Sequence, residues 1–416
     1  MSDTRALRID RDRLWASLMR SAEIGPGVAG GLRRLALSDA DKQVRDQFVT
    51  WARDAGCTVR VDAAGNIFAR MEGQEDLPAV LMGSHLDTQV TGGRFDGILG
   101  VLAGLEVVRT LRDAGVVPKR PIEVVDWTNE EGARFPPPMA ASAVFAGLKD
   151  LDWLYGLRDD DGLSFGDELD RIGYKGDAPV GGPDVGKAYD SYFELHIEQA
   201  DELDRQGLPV GVVTGAYASQ GINVAFHGET AHAGPTPMAK RRNALVGAGY
   251  LIAAVNEIGW RYAPTGKATT ARCTAWPNKS GILPAYAELT IDMRHLDPDA
   301  HRAMVAEARE SIAEAARKAQ VEAEILAEWT FGDERFDPEC MACVRRAAEH
   351  LGHATLDLPS QAGHDAYYVS RVVPTAMIFS PCIDGITHNE AEDVHPEPTF
   401  AAADTLLQAV LDRAQR

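Results

Sequence analysis

Three segments follow one another early in the chain: an apolar run at 79–83, a stretch with helical apolar spacing at 98–114, and a second apolar run at 122–127. Strand, helix, strand in that order confines the chain to a mostly parallel α/β sheet, because parallel strands need a crossover and the crossover helices cover the faces. In such sheets the reactive side chains gather where strands end. Upstream, Ser38 with Asp41 three residues on reads as an N-cap and its first-turn acid, opening a helix that runs to about Ala55 and stops at Gly56. Residues 57–61 and 66–71 read as short strands joined by the turn Asp62-Ala63-Ala64-Gly65.

Beyond residue 216 the rhythm changes. Residues 221–228 read as a strand, 239–260 as a helix, 267–276 as a strand, 285–294 as an alternating strand, 299–319 as a helix and 320–329 as a strand. This β-α-β-β-α-β order is the ferredoxin-like arrangement. The expected layout is a discontinuous domain of 1–215 and 332–416 with a second domain, 216–331, inserted into it. A length of 416 residues agrees, being too great for one typical core.

A formal net charge of −20 argues against nucleic acid or an anionic membrane as partner. The first fifteen residues are polar and of mixed charge, unlike a signal peptide. No run reaches the roughly 18 apolar residues a membrane helix needs. Five cysteines, an odd and small number, fit a reducing cytoplasm without structural disulfides. The single C-x-x-C, Cys340 to Cys343, lies in a stretch with helical apolar spacing and reads as core packing. Asn278-Lys279-Ser280 fits a glycosylation acceptor, but nothing else suggests secretion. Pro136-Pro137-Pro138 reads as a rigid loop.

Four segments carry metal-ligand chemistry. In Gly83-Ser84-His85-Leu86-Asp87-Thr88, a histidine ends an apolar strand, and Asp87 points the same way, able to accept the other imidazole N–H and fix the ring. Asp96, in Gly92-Gly93-Arg94-Phe95-Asp96-Gly97, sits in a glycine-flanked loop where one carboxylate can approach two cations. Glu130 and Glu131 stand side by side after the strand 122–127; one can bind metal while the other serves as general base. His196 lies in Glu194-Leu195-His196-Ile197-Glu198-Gln199 and His388 in Thr387-His388-Asn389-Glu390. A solvated loop or charged turn explains any one of these segments alone. Together they make a borderline-hard N/O donor set that favours Zn²⁺, with Mn²⁺, Co²⁺ or Ni²⁺ as alternatives.

The strings GSHLDT, GGRFDG, TNEEG, ELHIEQ, AHAGPTPM, AGHDA and THNEAED, in order from residue 83 to 393, resemble the successive signatures of the M20 peptidase superfamily. The match is to its hydantoinase/carbamoylase branch of N-carbamoyl-L-amino-acid hydrolases, β-ureidopropionases and allantoate amidohydrolases. The resemblance implies a metallo-aminopeptidase-like catalytic domain and an inserted lid and dimerisation domain. It implies two divalent ions per chain: one held by His85, Asp96 and His196, the other by Asp96, Glu131 and His388, with Asp96 bridging. Glu130 would be the general base. His232, in Ala231-His232-Ala233-Gly234, would stabilise the oxyanion in its own or a partner subunit's site. Asn278 and Arg294 would hold a substrate carboxylate, with His364 and Gln220 also at the substrate.

The implied activity is hydrolysis of a linear amide or carbamoyl bond in a small carboxylate-bearing substrate by a homodimer. The leading substrate is an N-carbamoyl amino acid, either N-carbamoyl-β-alanine or an N-carbamoyl-L-α-amino acid. Allantoate and an N-acyl amino acid are the alternatives, and a metal-stabilised binding protein the non-enzymatic one. The chain departs from many relatives ahead of His232, where Ala216-Tyr217-Ala218-Ser219-Gln220-Gly221 has no basic residue, and at Ser360-Gln361, where relatives often have Ser-Gly. The first departure disfavours allantoate, whose second ureido arm would lack a partner. Space at Gly221 would suit an N-acyl group.

Overall fold

The computed structural model of the chain describes residues 6–181, 184–332 and 334–416. Two compact units divide it: Met1–Gly215 with Arg335–Arg416, and Ala216–Glu334. The insert therefore ends at Glu334 rather than at 331. Beyond the last strand the chain runs on antiparallel to its entry, with the Ala216 N–H donating to the Glu334 carbonyl at 3.1 Å.

The larger unit is built on eight strands: β1 (Thr58–Val61), β2 (Ile67–Met71), β3 (Ala79–His85), β4 (Ile122–Trp127), β5 (Tyr189–Ile197), β6 (Val210–Ala216), and, after the insert, β11 (Thr355–Ser360) and β12 (Thr375–Ser380). Their order in the sheet is β1-β2-β4-β3-β5-β12-β6-β11. The centre is parallel: β3 pairs in parallel with β4 and β5, and β12 with β5. β3 and β4 are buried along their whole length, as expected for strands covered on both faces. The crossover between them is the helix Ile98–Asp113, whose apolar residues join those of the C-terminal helix Pro396–Ala414 in one core. Cys340 and Cys343 are buried in that core, on the helix Pro338–Leu351. Ser38 caps the helix Asp39–Asp54 as its sequence predicts, accepting from the Asp41 amide.

β1 and β2 form an antiparallel hairpin. Asp62 holds its turn by accepting the amides of Ala64 and Asn66 and the Asn66 side-chain amide, at 2.9–3.0 Å. Burial outweighs those bonds and pushes the carboxyl up to about 6.

The insert is a second sheet, β7 (Ala218–His227), β8 (Gly266–Trp276), β9 (Tyr286–His295) and β10 (Glu322–Phe331). The order is β10-β7-β9-β8, antiparallel throughout. β9 alternates buried and half-buried residues over its length, and its buried set packs with Ile222, Val224 and Phe226 of β7 against the helices Ala244–Tyr262 and Pro298–Ala319. The first of these helices starts five residues later than its apolar spacing predicts. Asn243 caps it, accepting from the Leu245 amide, while Arg241 folds the preceding loop by donating to the carbonyls of Ala233, Gly234 and Thr236. Residues 238–240 form a separate 3-10 turn.

Candidate metal centre

The ligand positions follow from the parallel centre of the sheet. β3 ends on His85, β4 runs out into Glu130 and Glu131, and β5 carries His196 near its end. Asp96 precedes the helix Ile98–Asp113, and His388 follows β12 through a short turn. The structure brings all five together in two groups: His85, Asp96 and His196, and Asp96, Glu131 and His388, each with ligand atoms within 4.8 Å of one another.

Asp96 belongs to both groups, one oxygen to each. Its Oδ1 lies 3.7 Å from His85 Nε2 and 3.2 Å from His196 Nε2, and its Oδ2 lies 3.5 Å from His388 Nε2. His388 Nε2 is also 3.2 Å from Glu131 Oε2. Burial alone would raise the Asp96 carboxyl, but the imidazoles, His196 foremost, hold it well below the usual carboxylate range. Burial works against protonation of His196, yet its bond to Asp96 carries it up to about 9.

Both buried imidazoles are oriented by backbone. His85 Nδ1 bonds the Asp87 carbonyl at 2.9 Å, and His196 Nδ1 the Ile197 carbonyl at 2.8 Å, so each presents Nε2 to the centre. This corrects the role expected for Asp87. Its carbonyl, not its carboxylate, meets His85. The carboxylate stands 3.8 Å from that ring and accepts the amides of Glu130 and Glu131 at 3.2 and 3.3 Å. Asp87 thus anchors the acidic pair as well as the ring. Gly97 makes the approach sterically feasible: it has φ +70°, and a Cβ there would fall 2.3 Å from the His85 ring.

The donor set fits divalent cations. It offers two imidazole nitrogens and a shared carboxylate on one side, and an imidazole and two carboxylates on the other. Glu131 Oε1 is buried without a hydrogen-bond partner, an arrangement that is costly unless a cation satisfies it. Glu130 lies beside this set, with Oε2 3.5 Å from His85 Nε2. Burial, reinforced by Asp365 and Glu131, pushes its carboxyl well above the ordinary range.

Several residues of the centre were not singled out by sequence. Gln199 and Thr387 both donate to Asp96 Oδ2, at 2.7 and 3.0 Å, and Gln89 donates to Glu131 Oε2 at 2.9 Å. Glu392 accepts the amides of Phe95 and Asp96 at 3.0 and 3.1 Å. Gln199, Thr387 and Glu392 lie inside the motif strings, so the signal was present without the role.

His364 is buried behind His196, its ring edge-on at 4.4 Å between centroids, and bonds the Ser360 hydroxyl at 3.1 Å. In the insert, His232 and Asn278 are exposed. The Gly234 amide donates to His232 Nδ1 at 3.0 Å, which leaves the proton on Nε2. Arg294 holds Asp292 through Nε and Nη2 at 2.7 and 3.2 Å and lies over the Phe331 ring. Gln220 does not join it. Register pairs Arg294 with Ser219 and Gln220 with the buried Met293, so Gln220 and Arg294 face opposite sides of their sheet. Nor does Gly221 leave room for an acyl group, since a Cβ there would already meet the Trp329 ring at 2.0 Å.

The model of peptidase family M20/M25/M40 matches residues 81–413. The N-carbamoyl-L-amino-acid amidohydrolase of Rhizobium meliloti is 43% identical over 409 residues, 98% of this chain and 97% of the relative. The N-carbamoyl-L-amino acid amidohydrolase of Geobacillus stearothermophilus is 35% identical over 415 residues, 98% and 99% of the two chains. The crystal structure of a hydantoinase/carbamoylase family amidase from Burkholderia vietnamiensis superposes with a TM-score of 0.95 at 46% identity, covering 99% of each chain. With its ligand positions assembled around one shared aspartate and a family match spanning most of its length, the chain belongs to peptidase family M20/M25/M40.

Proposed function

We propose that the protein is a two-metal amidohydrolase that converts an N-carbamoyl amino acid to the free amino acid, ammonia and carbon dioxide. The observation that carries this reading is the shared Asp96: one buried carboxylate serves two ligand groups while a second, Glu130, remains beside them to act as base. The names of the relatives supply the carbamoyl group.

His85, Asp96 and His196 would hold one ion, and Asp96, Glu131 and His388 the other, with Zn²⁺ the best match and Mn²⁺, Co²⁺ or Ni²⁺ the alternatives. When bound, such ions supply positive charge that acidifies water and stabilises a developing oxyanion. Glu130 takes the proton from the attacking water and returns it to the leaving nitrogen. His232, with its proton on Nε2, is a donor for the oxyanion. Arg294 and Asn278 anchor the substrate carboxylate, and Arg294 must divide its donors between that group and Asp292.

The insert reads as a ferredoxin-like lid and dimerisation domain. Its element order and antiparallel pairing support the fold. The exposed Leu245, Val246, Tyr250 and Ile252 on the helix Ala244–Tyr262 support burial against a second copy. A single 45-kDa species in sedimentation at working concentration would refute the homodimer. All five cysteines are free thiols, and no helix among the described residues is long and apolar enough to cross a membrane; both fit a cytoplasmic enzyme.

Ammonia release measured on N-carbamoyl-L-α-amino acids, N-carbamoyl-β-alanine, allantoate and an N-acyl amino acid tests the assignment. An N-carbamoyl acid should give the highest kcat/KM. Allantoate, whose second ureido arm finds no Arg or Lys among residues 216–221, should be poor. Trp329 filling the space beside Gly221 counts against the N-acyl substrate. Allantoate or an N-acyl acid leading the panel would overturn the reading.

A further inference from the structure

The two ligand groups are not held alike. His85 and His196 are buried and each is fixed through Nδ1 to a backbone carbonyl. The His388 side chain is 48% exposed, and its contacts run from Nε2 toward Asp96 and Glu131. It sits on a loop in a left-handed conformation, φ 50°, a region uncommon for residues other than glycine. Something other than its own ring must hold it.

The neighbouring sequence supplies that support. Two residues on, the Glu390 carboxylate reaches a loop near the N-terminus, 25–31, and accepts the backbone amides of Val28 at 3.1 Å, Ala29, and Gly31 at 3.2 Å. The loop is shaped to this group: a Cβ on Gly27 would lie 2.3 Å from Glu390 Oε2, and one on Gly31 2.5 Å from Glu390 Cα. The loop is in turn tied to the segment that carries Asp96. Leu32 and Gly92 exchange both backbone hydrogen bonds, at 2.8 and 2.9 Å, and the Thr91 hydroxyl donates to the His388 carbonyl at 3.2 Å. Loop 25–31, loop 91–96 and the His388 loop therefore close a ring around Glu390.

Resting on the two-metal reading, we propose that Glu390 is the positioning residue of the second metal site: its carboxylate latch on residues 28–31 holds His388 toward Glu131 and Asp96 and sets how tightly that ion is retained. Glu390 touches neither ion nor substrate. Its effect is greatest on that ion, because two of the other ion's three ligands, His85 and His196, are fixed through Nδ1 to backbone carbonyls outside the latch.

Three variants test this, read by metal content after gel filtration and by competition with a chromophoric chelator, with Zn²⁺ as the probe. Wild type should hold two ions per chain. Glu390→Ala should hold one, with the second bound about 10–100-fold more weakly, the range found when a group supporting a ligand is removed. Gly27→Ala, which disturbs the latch from the opposite side, should show the same selective loss. Glu390→Gln, which keeps an acceptor oxygen, should fall between. Excess Zn²⁺ should restore kcat in all three. Thermal unfolding in EDTA, where no ion contributes, should show each variant as folded as wild type. Two ions retained with unchanged affinity in both Glu390→Ala and Gly27→Ala would overturn the latch and leave the two-metal reading intact. Equal loss of both ions would also overturn it, showing a general structural role. One ion in wild type would instead overturn the two-metal reading, and the proposal with it.

Discussion

At the scale of the residue, the centre turns on how single carboxylates are divided. Asp96 gives one oxygen to His85 and His196 and the other to His388, Gln199 and Thr387. Asp96→Ala should therefore lose both ions together; full metal content by elemental analysis would show that it bridges nothing. Glu130 and Glu131 are adjacent but differently placed. Glu131 faces His388, while Glu130 lies nearer His85. Glu130→Gln should keep both ions and lower kcat by about 10²–10⁴-fold, the range of general acid–base catalysis. Glu131→Gln should weaken metal binding first. Metal analysis alongside turnover separates the two, and the opposite pattern would exchange their roles. The five residues that come together were legible in the sequence because His, Asp, Glu, His and His follow strands in one chain. The role of Asp87 was not, since a carbonyl and a carboxylate on one residue both lie within reach of an imidazole and only the backbone path decides between them. Gln199 and Thr387 escaped for the same reason: a motif string names residues without saying which oxygen they bond.

Element boundaries and faces follow from local chemistry, and so do the misreadings. The cap predicted at Ser38 and the turn predicted at 62–65 are present because their partners lie within four residues. The helix expected from residue 239 begins at Ala244 because Arg241 spends its side chain on the loop before it and Asn243 caps the first turn by accepting the Leu245 amide. The strand read at 221–228 starts three residues earlier, at Ala218, and which face Gln220 joins depends on its partner in β9, a pairing made across more than seventy residues. Gly97 is the clearest case of an element junction serving the centre. It opens the helix Ile98–Asp113, donates its amide to His196 Nε2 at 3.1 Å and packs beneath the His85 ring. Gly97→Ala adds a Cβ into that ring at a positive φ, with backbone strain of about 1–3 kcal/mol. The expected result is a lower Tm together with weaker binding of the ion held by His85 and His196. A normal Tm and two tightly held ions would mean that the junction relaxes without cost.

Across the whole molecule, the larger unit places many carboxyl groups in or near the candidate metal centre while the chain already carries a large negative excess. Without cations this interior stores charge that burial opposes. Glu130, Asp87 and Asp365 are pushed well above the usual carboxylate range by burial and by neighbouring carboxylates, and Asp126, for the same first reason, to about 7. Each binds its proton more tightly in the folded chain than in the unfolded one. Each therefore contributes stability that is complete below its unfolded value and lost as pH rises through its folded value. His196 and His388, carried up to about 9 against burial by Asp96 and Glu131, act with the same sign above their ordinary value of about 6.5. His85, pushed down by burial, acts oppositely, but only below that ordinary value. Asp96, held low, matters only in acid. Between about pH 6.5 and 9 the shifts near the centre thus agree in direction, and the unfolding free energy of the metal-free protein should fall as pH rises. Metal binding should reverse this dependence, since deprotonated ligands bind cations better and binding to the folded state adds stability. Urea unfolding across that range, with and without Zn²⁺, is the measurement. A metal-free protein whose stability is level or rising over the range would show that the buried carboxylates are compensated by groups other than protons and metal.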